Sequence, residues 1–170
     1  ERGFKQQFSA SNSWLTIEKM DFDVTPEGVA KLTVTGTADM DWRMNDDVGL
    51  REYKFPGSGS GKAFTFPRRE PGPNADAPYL TPFPNYSSTV LEVVLPNKGA
   101  GFSVKGSNWS GRVANAETIH RAELRDGVAR FTQSSRSLGR ELPFAEAEEA
   151  NKAVRRLAAE AEIVRAPKGS

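Results

Sequence analysis

Two runs of mixed apolar and polar residues, at 118–125 and 128–134, are joined by Asp126-Gly127, and this pair constrains the chain more than any other feature. Asp-Gly supplies the positive φ that a two-residue type I′ turn requires, and the twist of that turn suits the strands on either side. A turn centred there sets Arg125 opposite Val128, Leu124 opposite Ala129, Glu123 opposite Arg130 and Ala122 opposite Phe131. One face then carries Ala122, Leu124, Ala129 and Phe131. The other carries the opposite-charge pair Glu123/Arg130. The remaining segments read as strands and one helix packed around the apolar face.

Upstream, residues 14–24 alternate, but the apolar phase shifts between Leu15/Ile17 and Met20/Phe22/Val24. A bulge near Glu18 or Lys19, or a strand crossing between sheets, accounts for the shift. Thr25-Pro26-Glu27-Gly28 has the residues of a type I turn. Ala30, Leu32, Val34, Gly36, Ala38, Met40 and Trp42 then alternate with polar residues, as on a half-buried antiparallel strand. A long hairpin from Trp14 to Trp42 results. Residues 50–55 read as a strand or a helical turn, and 63–66 as a short strand. The Gly/Ser tract at 57–61 is a loop; its spacing and its lack of a feeding strand do not match a phosphate-binding loop. Six of the eleven prolines fall at 67–84, with Pro56 just upstream, and exclude a central strand or helix there. An extended connection over the surface is expected.

From Ser87 to Leu95 the sequence is apolar on both faces, as in a central strand. Residues 101–105 form another short strand, and 107–115 a polar connection containing Trp109. Glu141-Leu142-Pro143 opens a helix whose stripe is Phe144, Ala147, Ala150, Val154, Leu157, Ala158 and Ala161. Residues 162–165 look like a last edge strand. The expected fold is mainly β: a two-layer antiparallel β-sandwich-like arrangement with one C-terminal amphipathic helix. Residues 1–12 read as a linker, 13–167 as a single β-rich domain with a possible sub-boundary in the Pro-rich 67–84 connection, and 168–170 as a tail.

With 23 basic against 22 acidic residues, the chain lacks the clustered positive excess of a nucleic-acid binder. The pairs Arg68-Arg69 and Arg155-Arg156 are flanked by glutamates and read as solvated surface. No apolar run approaches the length of a membrane span, so membrane insertion is not expected. There is no cysteine, which excludes disulfides, a thiol nucleophile and zinc-cysteine sites. A chain that opens at Glu1 reads as a fragment or processed product, with any targeting segment upstream.

His120 is the sole histidine. It reads as a partly buried or rim residue, since catalysis would need a serine or activated water and an orienting partner. Asp39, Asp41, Asn45, Asp46 and Asp47 offer oxygen ligands for calcium, but they lack the EF-hand spacing and read as a solvated edge. No cofactor and no catalytic residue is expected. Among the aromatics, Trp42 is in phase with the apolar face. Trp109, Tyr79 and Tyr86 lie in loops and are the candidate ligand-binding platform, against the alternative that they are core or anchor loops by packing.

The order of features from Pro82-Phe83-Pro84-Asn85-Tyr86 through Val94-Leu95-Pro96, Gly101-Phe102-Ser103-Val104, the Asp-Gly hairpin, Ser135-Arg136-Ser137-Leu138, Leu142-Pro143 and Ile163-Val164-Arg165 resembles the C-terminal β domain of bacterial transglutaminase-like proteins. Those proteins carry an N-terminal β domain of unknown function and a papain-like core. Thr35-Gly36-Thr37-Ala38 and Arg43 are similar to the first half of that domain, so the resemblance covers about 13–167. It implies a non-catalytic accessory domain whose partner is the neighbouring transglutaminase-like core of the same chain or another protein, in the periplasm or at the cell surface. The core's Cys, His and Asp have no counterparts here. The alternative is a cell-wall glycan or peptide-binding module that uses the loop aromatics.

Overall fold

The computed structural model describes residues 2–55 and 65–168, so the Gly/Ser tract and the start of the expected 63–66 strand lie outside the described residues. The chain forms two compact units, Glu1–Trp42 and Arg43–Ser170. The boundary follows Trp42, and the Pro-rich stretch lies inside the second unit.

The first unit holds helix α1 (Arg2–Ser11) and strands β1 (Leu15–Val24) and β2 (Ala30–Ala38). The helix occupies the stretch read as a linker. Arg, Lys, Gln and Ala are good helix formers, and the Asn12 side chain ends the helix by donating to the Phe8 carbonyl at 2.9 Å. The hairpin has the anticipated bulge: the register slips between Ile17 and Lys19, leaving Glu18 as the extra residue. Gly36 stands opposite Ile17, and a Cβ there would lie 2.1 Å from the Thr16 carbonyl oxygen. The bulge therefore requires glycine across from it. Gly28, at φ +80°, donates to the Thr25 carbonyl at 2.8 Å and closes the turn.

The second unit contains β3 (Arg43–Asn45), β4 (Leu50–Lys54), β5 (Tyr79–Leu80), β6 (Tyr86–Val94), β7 (Ser103–Lys105), β8 (Trp109–Val113), β9 (Ala116–Arg125), β10 (Val128–Ser137), β11 (Glu141–Leu142), α2 (Ala147–Ala159) and β12 (Ile163–Arg165). One antiparallel sheet runs β6-β10-β9-β8 and the other β3-β4-β12-β7. Phe131 and Ala129 of the first sheet and Tyr53 and Val164 of the second are buried, and the rings of Phe131 and of Phe55, just after β4, lie 5.2 Å apart. The unit is thus a two-layer β-sandwich-like fold. Burying side chains of this size contributes roughly 1.5–3 kcal/mol each.

The β9–β10 hairpin has the register read from its turn, with Asp126 at φ +51° and Gly127 at φ +81°. Its Arg130, however, lies 3.5 Å from Glu92 of β6 on the far side, not in an ion pair with the cross-strand Glu123. Two strand positions differ from expectation. β6, apolar on both faces and expected to be central, is an edge strand, because β9 and β10 close on each other and β8 takes the other side of β9. β12, expected at an edge, lies between β4 and β7, and its Val164 is fully buried. Residues 107–115 contain β8, which Ser and Gly residues conceal in the sequence. Glu141–Leu142 pairs with β5 before the helix starts.

The Pro-rich connection is anchored at Arg69 and Tyr79. The Arg69 guanidinium donates to the carbonyls of Ala77 and Pro78 and sits 4.1 Å from the centre of the Tyr79 ring, so this arginine is not simply solvated. Phe66, Tyr79, Leu142, Ala147 and Ala150 form a buried cluster beneath α2. Asn151 locks that helix to the chain, accepting from the Phe66 amide at 2.7 Å and donating to its carbonyl at 2.9 Å.

Candidate functional site

The structure separates the three candidate aromatics. Tyr79 is 7% exposed, stacks near Phe66 and Phe144, and donates its hydroxyl to the Pro67 carbonyl at 2.6 Å. Its ring is a loop anchor. Tyr86 begins the edge strand β6, while Trp109 begins β8 at the opposite edge of the same sheet. Tyr86 pairs with Arg136 and shares the outer parity, whereas Trp109 pairs with His120 on the parity that faces the second sheet. No common platform forms. Asp39 and Asp41 belong to the first unit and Asp46 and Asp47 to the second; among the described residues no group of three or more His, Cys, Asp or Glu side chains gathers to hold a metal.

Trp109 alone borders a cleft. Its indole lies along β8 over Gly111, where a Cβ would come within 2.5 Å of the ring. Any larger residue at 111 displaces it. Just before it, the Asn108 carboxamide continues the ladder in place of backbone, accepting from the Ala122 amide at 3.1 Å and donating to the Ala122 carbonyl at 3.3 Å. These contacts fix the approach to β8 and open a cleft of about 730 Å³ between the β7–β8 connection and the C-terminal turn of α2. Lys105, Asn108, Trp109, Arg156, Glu160 and Ile163 are on its walls.

Glu160 caps the C-terminus of α2, where the helix dipole is negative and a carboxylate is unfavourable. Its Oε2 is shielded from water and, among the described residues, has no hydrogen-bond partner. A buried carboxylate oxygen without a donor costs on the order of 1–3 kcal/mol, so Glu160 holds this oxygen at a local cost beneath the cleft surface.

Glu162, two residues on, accepts from Gln133 Nε2 at 2.8 Å. Burial pushes its carboxyl above the usual value, against the opposing pull of Gln133 and of the His120 charge. His120 has Trp109 opposite on one side and Gln133 on the other. Neither can serve as a nucleophile, and among the described residues no hydrogen bond joins the His120 side chain to a serine. A second hollow of about 480 Å³ lies between β8 and the N-terminal half of α2. Two of its polar groups are already engaged: Arg112 donates to Asn115 Oδ1 at 3.0 Å, and Asn115 donates to the Glu141 carbonyl at 2.9 Å.

Sequence reasoning singled out Trp109 but not Lys105, Arg156 or Glu160, which come from segments some fifty residues apart in the chain. A glutamate at the C-terminal end of an amphipathic helix, against the usual charge bias, was the available signal. No protein-family model, no curated protein and no solved structure matches this chain.

Proposed function

We propose that this chain is a non-catalytic interaction domain that holds an extended peptide segment in the Trp109 cleft. The observation that carries this reading is an open cleft that presents the Trp109 indole beside the charged side chains of Lys105, Arg156 and Glu160. The indole packs against ligand side chains, and Lys105 and Arg156 pair with ligand carbonyls or carboxylates. The resemblance to transglutaminase-like proteins gives this role a setting: the segment belongs to the neighbouring core of the same polypeptide or to a protein partner, in the periplasm or at the cell surface. The absence of cysteine and the surroundings of His120 support a non-catalytic role.

A second reading, binding of a cell-wall glycan, is favoured by the Trp109 ring alone, since an indole face suits a sugar ring. Titration followed by tryptophan fluorescence separates the two readings, with Trp109→Ala as the control for signals from Trp14 and Trp42. Saturable change with peptides from the parent polypeptide, lost in Trp109→Ala and weakened about tenfold in Glu160→Gln, supports the first. Response to chitin or peptidoglycan fragments alone supports the second. No response to either overturns both.

A further inference from the structure

We propose that the edge strand β6 pairs with β6 of a second copy of this chain, antiparallel about a twofold axis at Val90, joining two four-stranded sheets into one. The strand is nine residues long, Tyr86–Val94, and among the described residues no strand lies along its outer edge. Exposed edges of this length are normally blunted by lysine, proline or a bulge, because their free amides and carbonyls template pairing with another chain. β6 has none of these protections. Its one charged residue is Glu92, and its register with β10 runs without interruption from Val94 to Tyr86.

The outer-facing side chains are Tyr86, Ser88, Val90, Glu92 and Val94, since Leu91 and Val93 between them oppose the buried Phe131 and Ala129. Of this outer row, Tyr86 is 55%, Val90 48% and Val94 82% exposed. That much apolar surface on a solvent-facing edge marks an interaction site. The sequence of this row is self-complementary about its middle. With the axis at Val90, Val90 meets Val90 of the other copy, Tyr86 meets Val94 at both ends, and Ser88 meets Glu92. Apolar groups thus face apolar groups, and the carboxylate faces a hydroxyl that donates to it.

Other registers match less well. An axis at Glu92 sets two carboxylates against each other, and an axis at Ser88 places Glu92 against Pro84 and leaves Val94 unpaired. Axes at Thr89 or Leu91 set Val90 against Ser88 or Glu92. The twofold at Val90 also keeps each Glu92 near its own Arg130, 3.5 Å away, so the charge is countered within each copy. A second copy is therefore the occupant that the side-chain order fits, and a twofold contact of this kind closes at a dimer and does not propagate.

The test uses the whole chain, which has no native cysteine to interfere. Directly opposed residues in an antiparallel pair have Cβ atoms about 4.5–5.5 Å apart, within reach of a disulfide after small adjustment. Val90→Cys is expected to form a covalent dimer under mild oxidation, while Val94→Cys, more exposed but paired with Tyr86, does not. Sedimentation of the unmodified chain is expected to show a monomer–dimer equilibrium, and Val90→Lys to raise its dissociation constant about tenfold or more with an unchanged far-ultraviolet spectrum. Equal cross-linking at both positions, or a monomer at all concentrations with no cross-linking at Val90→Cys, overturns the proposal. A monomer whose β6 is occupied only when an unrelated strand-forming peptide is added overturns it too.

Discussion

Arg165 Nε lies 2.7 Å from Glu52 Oε1 and ties β12 to β4 at a point where both side chains are largely buried, 24% and 13% exposed. Asn45 Nδ2 donates to the other oxygen of Glu52 at 2.9 Å, so the carboxylate also holds β3. Burial by itself would raise the Glu52 pKa, but the hydrogen bonds from Asn45 and Arg165, with the charges of Arg165 and Lys105, hold it below the ordinary value of 4.5.

A folded-state pKa below the unfolded one gives stability that is present above the unfolded value and lost as pH falls through the folded value. Glu52→Gln is therefore expected to destabilise the second unit by about 1–3 kcal/mol at neutral pH, because Arg165 loses its counter-charge. Urea unfolding at a series of pH values checks this: the gap between parent and variant should narrow as pH drops below 4.5.

Glu162 has the opposite sign. Its carboxyl is raised by burial, so it contributes stability fully present below the ordinary 4.5 and lost as pH rises through the higher folded value. Glu162→Gln keeps a partner for Gln133 and removes the buried charge. The variant should melt higher than the parent at pH 7 and at the same temperature near pH 4. A lower melting temperature at pH 7 contradicts the assignment.

Gly127 is required twice over. Its φ of +81° disfavours any L side chain, and a Cβ would lie 2.7 Å from the Lys98 Cα, where the turn packs on the 97–99 loop. Gly127→Ala should cost roughly 2–4 kcal/mol from the strained backbone together with the clash. The same substitution at Gly49, also at positive φ but with open space around it, should cost less, about 1 kcal/mol. Chemical denaturation of the two variants separates the contributions of strain and clash.

Local chemistry made several elements legible in the sequence. Asp126-Gly127 specifies its hairpin register because only a primed turn joins strands of that twist in two residues. The phase slip at Glu18 specifies its bulge because side chains alternate with period two. The stripe from Phe144 to Ala161 specifies α2, although Glu141–Leu142 pairs with β5 before the helix begins. The Trp109 cleft was only partly legible: the indole stood out, while Glu160, Lys105 and Arg156 are silent until β7, β8 and the end of α2 are brought together.

The sequence by itself determined the two long hairpins, the stripe of α2 and where their tight turns fall, since each depends on residues close along the chain, but it did not show α1 or β8. Tertiary structure alone decided that β6 is an edge and β12 is interior, that Tyr79 is an anchor, and that Trp109 meets the end of α2 across a cleft. The physical reason is that sheet order and burial follow from which strands compete for a shared edge. That competition is settled by packing between residues tens of positions apart, such as Phe55 on Phe131.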